Sequence, residues 1–467
     1  MHDERIKSNG TREPNQMAHK AQTAATRWGL RSIFSSLVAL LIATIILAAI
    51  YPAHYGEKQL SFLLGRDREP LFSNLTDIAP SPATSSFEKQ LSFLLGRDRE
   101  PLFSNLTDIA PSPGTSSLCD VFSGSWVFDN VSRPLYKEGQ CKYMLGQQAC
   151  GKFGRKDLKY QQWRWQPHGC DLPRFNATAL LERLRNKRLM FVGDSLNRGQ
   201  WVSLVCMVES SIPKKRRSFS SRRPASIGFN ALDYNATIEF YWAPLLVESN
   251  CDDPMNHHLD NRIVRVGAIG KHARHWSDVD ILIFNSYLWW RESPEIKVSW
   301  ESFVGPDKNY EMMKMLRAYK IALNTWSDWI QVHVNSSKTQ VFFNGMSATH
   351  ERAEDWGGIA DHNCFEETEP ITEGGYRVRR STRGMMHTLR KAVNKLQKRG
   401  LDVHVLDITK LSEYRKDAHS SIYKEQTKNL TQHQMANPVT YADCFHWCLP
   451  GLPDVWNELL YAYILHN

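Results

Sequence analysis

The longest apolar run in the chain comes early. SIFSSLVALLIATIILAAIY, from Ser32 to Tyr51, carries no charge and matches the ~20 residues that a helix needs to cross a bilayer. Arg5, Lys7, Arg12, Lys20, Arg27 and Arg31 precede it, the basic flank that stays cytosolic under the positive-inside rule. A cleaved signal peptide is the competing reading, but it would have a shorter apolar core and an earlier start. The pattern predicts a cytosolic tail over 1–31, a retained signal-anchor over 32–51 and a luminal remainder. Residues 52–118 then lose the apolar rhythm to Ser, Pro and charge. They hold a tandem duplication, Glu57–Phe87 and Glu88–Leu118, differing only at Ala83 against Gly114 and at the final residue. Two copies are too few to share a solenoid core, so the stretch reads as a stem.

From Cys119 to about Phe175 the sequence is rich in aromatics and cysteine, with little helical periodicity. It predicts a loop-dominated minor lobe stapled by disulfides. Beyond it, short β-rich runs recur at Leu189–Val192, Val279–Phe284, Gln340–Phe343 and Val403–Ile408. Helical spacing of apolar residues fills Tyr310–Val332 and Ser381–Lys398. This alternation predicts an α/β/α sandwich with a mostly parallel central sheet, residues 119–467 making one luminal domain. In such sheets ligands sit beyond the carboxyl ends of the strands, which is where chemistry is to be sought.

Composition sharpens the compartment more than the function. N-x-S/T sequons stand at Asn74, Asn105, Asn130, Asn176, Asn235, Asn335 and Asn429, all beyond the apolar run. All nine cysteines also lie beyond it, from Cys119 onward, without paired metal-ligand spacing. An oxidised disulfide framework is therefore expected rather than zinc, with one thiol left over. The formal charge of +9 favours anionic partners without choosing among glycans, nucleic acids and membranes. Lys214, Lys215, Arg216, Arg217, Arg222 and Arg223 form a basic run that reads as a solvated loop, or as an attractor for a glucuronate-bearing chain. A luminal position sets nucleic acid aside as a partner. Trp163, Trp165, Trp289 and Trp290 suit stacking on sugar rings and core packing equally.

Two short motifs carry candidate chemistry. The strand predicted at Leu189–Val192 runs into Gly193-Asp194-Ser195-Leu196 and then a helical pattern. A serine at such a turn is exposed beside helix N-terminal amides that stabilise an oxyanion, and Gly193 permits the sharp turn. A helix cap made by Asp194 or Ser195 is the plain alternative. Near the other end, Asp443 and His446 stand three residues apart. On one turn that spacing can place carboxylate and imidazole on the same side, the carboxylate orienting a ring that takes a proton from Ser195. An unrelated surface Asp and packing His is the alternative. No H-E-x-x-H, P-loop or dinucleotide fingerprint is present, so no metal or bound cofactor is expected.

GDSLNRGQW from Gly193, FNSYLWW at Phe284–Trp290, FFNGMSATH at Phe342–His350 and DCFHWCLPGLPD from Asp443 together resemble the plant trichome birefringence-like proteins. These belong to an esterase/acyltransferase group related to SGNH hydrolases. The resemblance covers about Cys119 to Asn467, with the order of the blocks kept. It implies a Golgi type II membrane protein that O-acetylates a wall polysaccharide, xylan foremost, from acetyl-CoA or another acetyl carrier. It makes Ser195 the nucleophile and Asp443 and His446 its partners. Arg198, one turn beyond Ser195, and Asn285, at a strand end where similar hydrolases use an Asn, become oxyanion donors; a surface Arg and a turn Asn are the alternatives. Ser347 and His350 are expected to support the site rather than react. The resemblance also implies the pairings Cys119–Cys170, Cys141–Cys206, Cys150–Cys448 and Cys364–Cys444, leaving Cys251 over. Two rivals share these residues: a polysaccharide acetylesterase with the same triad, and a glycan-binding protein without turnover.

Overall fold

The computed structural model describes residues 119–466 apart from 224, 258–260, 292–293, 302–308, 373–379 and 427–428. The predicted tail, anchor and stem, with Asn74 and Asn105, lie outside the described residues. Among the described residues no helix is long and apolar enough to cross a membrane.

Seven strands form the central sheet in the order Val403–Leu406, Gln340–Asn344, Ile281–Phe284, Arg188–Gly193, Ala236–Trp242, Ser226–Ala231 and Arg217–Arg223. The first five are mutually parallel, and the last two add an antiparallel edge. The apolar runs seed the interior: Phe191, Val192, Ile283, Phe284, Phe342 and Phe343 are fully buried, each such side chain stabilising the fold by about 1.5–3 kcal/mol. Neighbouring strand residues point to opposite faces. Phe343 meets Trp326 of the helix Met315–His333 at 5.1 Å between ring centroids, whereas Phe342 meets Tyr463 of the helix Leu452–His466 at 6.0 Å. Those helices therefore cover opposite faces, which makes the α/β/α sandwich. The helix Arg380–Gln397 packs beside the first, and Ser195–Glu209 packs beside the second, where Asn457 Nδ2 donates to the Gln200 carbonyl at 2.9 Å.

Strand order reverses between Arg188–Gly193 and Ile281–Phe284. The connections after these two strands leave towards opposite faces, and the carboxyl ends of strands at such a reversal are where ligands bind in sheets of this kind. Ser195 follows one of these ends and Asn285 the other.

Two expectations change. Helical structure begins at Met315, not Tyr310, because Glu311–Lys314 pairs antiparallel with Glu295–Val298. The basic run is not a loop: Arg217–Arg223 is the outermost strand of the sheet, with Phe219 stacked on Tyr143 at 5.3 Å. Arg216 pairs with Asp233, and Arg217 with Glu209 at 3.1 Å, so two of its charges are engaged within the protein.

Residues 119–171 form an antiparallel pair, Gly124–Phe128 with Trp163–Pro167, among turns and loops. Tyr136, Tyr160 and Trp165 nevertheless join the same core as the sheet. The disulfides are Cys119–Cys170, Cys141–Cys206, Cys150–Cys448 and Cys364–Cys444; Cys251 is buried and outside them. Two of the four fasten the N-terminal segment, one to the Ser195 helix and one beside His446.

Candidate active site

Ser195 is the first residue of its helix because Asp194 caps it: extended backbone brings the Asp194 carboxylate onto Leu196 N at 2.9 Å. A Cβ on Gly193 would fall 2.5 Å from the Asn285 carbonyl oxygen, so only glycine lets the two strand ends come this close. Ser195 is 9% exposed, at the positive end of a 15-residue helix. Burial pushes the Asp194 carboxyl up to about 6, against the hydrogen bond from Leu196 and the field of His446.

His446 stands on quite different structure. Asp443–Trp447 is a strand paired with His419–Ser421. In a regular strand, residues three apart point to opposite faces. Here the ladder joins His419 to Trp447 and Ser421 to Asp443, two steps on one side against four on the other. The surplus bulges, and Asp443 Oδ1 accepts from Phe445 N at 3.2 Å and from His446 N at 3.0 Å. That side-chain turn folds the imidazole back onto its own carboxylate.

The result is a continuous relay. Ser195 Oγ donates to His446 Nε2 at 2.7 Å, and His446 Nδ1 donates to Asp443 Oδ2 at 2.9 Å. Burial opposes the Asp443 charge, yet His446 and Lys424, through charge and hydrogen bonds, together hold the carboxyl well below the usual range. Lys424 Nζ lies 2.7 Å from Oδ2. With the carboxylate ionised, Nδ1 carries the ring proton and Nε2 is free to accept from serine. The arrangement can transfer a proton from a hydroxyl to an imidazole beside a helix N-terminus, as nucleophilic acyl transfer requires.

The remaining predicted residues fall around this relay. Both polar side-chain atoms of Asn285 are buried and make no hydrogen bond, and neither does Arg198 Nε. Burial lowers the tendency of Arg198 to stay charged, and Asp194 opposes that. An unpartnered buried amide costs about 1–3 kcal/mol, so Asn285 is held ready for a bond that the chain itself does not supply. Ser347 Oγ accepts from Trp447 Nε1 at 3.0 Å. His350 Nδ1 meets His419 Nε2 at 2.7 Å, and His419 Nδ1 reaches the His446 carbonyl at 3.0 Å. Neither Ser347 nor His350 bonds to the Ser195 hydroxyl; both brace the strand that bears His446. Trp165, Trp289 and Trp290 are buried core residues and offer no platform for a sugar. The described sequon residues Asn130, Asn176, Asn235, Asn335 and Asn429 are all exposed.

Two contacts to the relay were not foreseen. Lys424 had no motif to mark it. Gln147, whose amide lies 2.9 Å from His446 Nδ1, sits three residues before Cys150, and the Cys150–Cys448 bond was the one signal that led towards it. Among the described residues no cluster of His, Cys, Asp and Glu could hold a metal ion.

Residues 172–463 match the PC-Esterase family, described as a GDSL/SGNH-like acyl-esterase family found in Pmr5 and Cas1p. Residues 117–171 match the PMR5 N-terminal domain. The chain is 58% identical over 350 residues to Protein trichome birefringence-like 34 of Arabidopsis thaliana, covering 75% of this chain and 85% of that protein. It is 51% identical over 354 residues to Xylan O-acetyltransferase 13 of Oryza sativa subsp. japonica, covering 75% and 70%. Xylan O-acetyltransferase 14 of the same plant is 48% identical over 370 residues, covering 74% and 77%.

Proposed function

Since the chain belongs to the PC-Esterase family, we propose that it is an O-acetyltransferase whose acceptor is a hydroxyl of a wall polysaccharide, xylan first. The 2.7 Å contact between Ser195 Oγ and His446 Nε2, with Asp443 behind the ring, is the observation that carries this reading. Relatives named as xylan O-acetyltransferases support transfer over hydrolysis and supply the acceptor.

The reaction is a double displacement. Ser195 Oγ attacks the donor's acetyl carbonyl as His446 Nε2 takes its proton, and Asp443 stabilises the imidazolium. The tetrahedral oxyanion is met by the amides at the start of the Ser195 helix, with Asn285 and Arg198 as side-chain donors. Collapse expels the carrier, which leaves with the proton from His446, and the acetyl ester remains on Ser195. A sugar hydroxyl then gives its proton to His446 and attacks that ester. The second tetrahedral species returns the proton to Ser195 and releases the acetylated sugar. The donor is acetyl-CoA or another acetyl carrier, and it is consumed as a substrate.

Purified protein incubated with xylo-oligosaccharides and an acetyl donor tests this directly. Mass gain in the sugar is expected. Acetate released from acetylated xylan, without any gain on free oligomers, would make the protein an esterase. The same proposal puts the enzyme in the Golgi membrane, single-pass, with residues 52–467 luminal. The apolar run Ser32–Tyr51, its basic flank and the later sequons support that orientation. Protease treatment of sealed vesicles should remove the N-terminal tail and spare the rest.

A further inference from the structure

One side chain against His446 comes from outside the residues matched to PC-Esterase, 172–463. It is Gln147, and its placement is secured from several sides. Cys150 is disulfide-bonded to Cys448. Leu449 N donates to the Gln148 carbonyl at 3.0 Å, and Glu425 N donates to the Gly146 carbonyl at 2.9 Å. Ser420 Oγ donates to the Gln147 carbonyl at 2.8 Å. A Cβ on Gly146 would come within 2.6 Å of the Glu425 Cβ, so a glycine is needed for the two segments to approach. This much scaffolding delivers one amide to one ring nitrogen.

Which amide atom faces His446 follows from the proton count. Nδ1 offers either a proton or a lone pair, never both. Asp443 is ionised and has Oδ2 at 2.9 Å and Oδ1 at 3.1 Å from Nδ1, so a lone pair there would face a carboxylate. Nδ1 therefore bears the proton and cannot accept from the Gln147 amide nitrogen that stands 2.9 Å away; the amide turned about its terminal bond sets its oxygen there instead, as an acceptor. A second acceptor has a purpose here. Asp443 Oδ1 already receives Phe445 N and His446 N, and Oδ2 already receives Lys424 Nζ. Each of these donors draws charge from the oxygens that must support an imidazolium.

We infer that Gln147 is a positioning residue whose side-chain oxygen shares the Nδ1 proton of His446 with Asp443, so that the N-terminal segment completes the proton-transfer machinery of the site. The inference rests on His446 acting as the general base. Without residues 119–171, the PC-Esterase portion would lack both this acceptor and the Cys150 tether.

Three variants of the full chain test it: Gln147→Met, which keeps length without an acceptor; Gln147→Glu, which makes the acceptor anionic; and His446→Ala. Gln147→Met should lower kcat by about tenfold and leave KM for the sugar unchanged, the size of one lost hydrogen bond. Its acid limb of kcat/KM should move to lower pH by about half a unit to one unit, because the imidazolium loses support. Gln147→Glu should move that limb to higher pH. Shifts of opposite sign are what a merely structural contact would not produce. If both variants fold and neither limb moves, the inference is overturned while the general-base reading stands. If His446→Ala keeps its turnover, that reading falls and takes the inference with it. Nitrogen-15 NMR of histidine-labelled wild-type protein gives an answer independent of any variant's folding: a bonded proton on His446 Nδ1 is expected, and a bare Nδ1 overturns the assignment.

Discussion

The two halves of the site are made by opposite means. Ser195 stands on regular structure: a strand inside a parallel sheet, one glycine, a capped helix. His446 stands on a bulged strand held by disulfides on either side, Cys364–Cys444 and Cys150–Cys448. Their carboxylates differ accordingly. Asp194 and Asp443 are both buried, yet Asp194 is pushed up to about 6 by that burial, while Asp443 is held well below the usual range. The difference lies in the donors. Asp194 is bonded by backbone amides, Leu196 N among them, whereas the Asp443 oxygens face two backbone amides and also a lysine and the imidazole. Where burial outweighs neutral donors the carboxyl is pushed up; cationic partners bonded to it keep it charged.

Removing either half should have the same large consequence. Ser195→Ala and His446→Ala should each lower kcat/KM for acetyl transfer by about 10,000-fold or more, and the double variant should lose little beyond either single one. A double variant far worse than both would mean the two residues do not work as a unit. Next comes Asn285, whose amide is idle in the folded chain. Asn285→Ala should cost about a hundredfold in kcat while leaving thermal stability unchanged or improved. A loss of stability without loss of kcat would turn Asn285 into a packing residue.

The stapled half and the regular half should also come apart when a staple is cut. Replacing Cys150 and Cys448 together by Ser should lower stability by about 2–5 kcal/mol. Hydrogen exchange should then show amides 443–448 losing protection while those of 196–202 keep theirs. Equal loss in both would erase the distinction between the halves.

The smallest effect is on pH dependence. Asp194 has its folded pKa raised, so its contribution to stability is complete below about 4 and is lost as pH rises through about 6, by up to about 3 kcal/mol. Asp443, with its folded pKa lowered, behaves in the reverse sense: its contribution is present above about 4 and is lost as pH falls below it. Urea unfolding should therefore give Asp194→Asn a flatter stability curve than wild type between pH 4 and 7, and Asp443→Asn a flatter one at the acid end.

The same division decides what could be read from the sequence. The runs at Leu189–Val192 and Gln340–Phe343 announced strands because a buried parallel strand is apolar on both faces. The place of Ser195, between a strand and a helix, was legible from the G-D-S turn, but a helix cap fits that motif equally, and it was the resemblance that singled out its hydroxyl. The bulge at Asp443–Trp447 was not legible, since its register depends on pairing with His419–Ser421, which spacing within five residues does not encode. Glu311–Lys314 and Arg217–Arg223 were missed for a related reason: edge strands carry too few apolar residues to mark them. Gln147 and Lys424 reach the site only through contacts between distant segments, which no local pattern records.

Mass analysis of the peptide bearing Ser195, after brief exposure of the enzyme to an activated acetyl ester, tests the central claim most directly. One acetyl group on Ser195, lost when xylo-oligosaccharide is added and recovered on the sugar, is the predicted result. Full transfer to sugar with no ester ever formed on Ser195, in wild type trapped by acid quench, would contradict it.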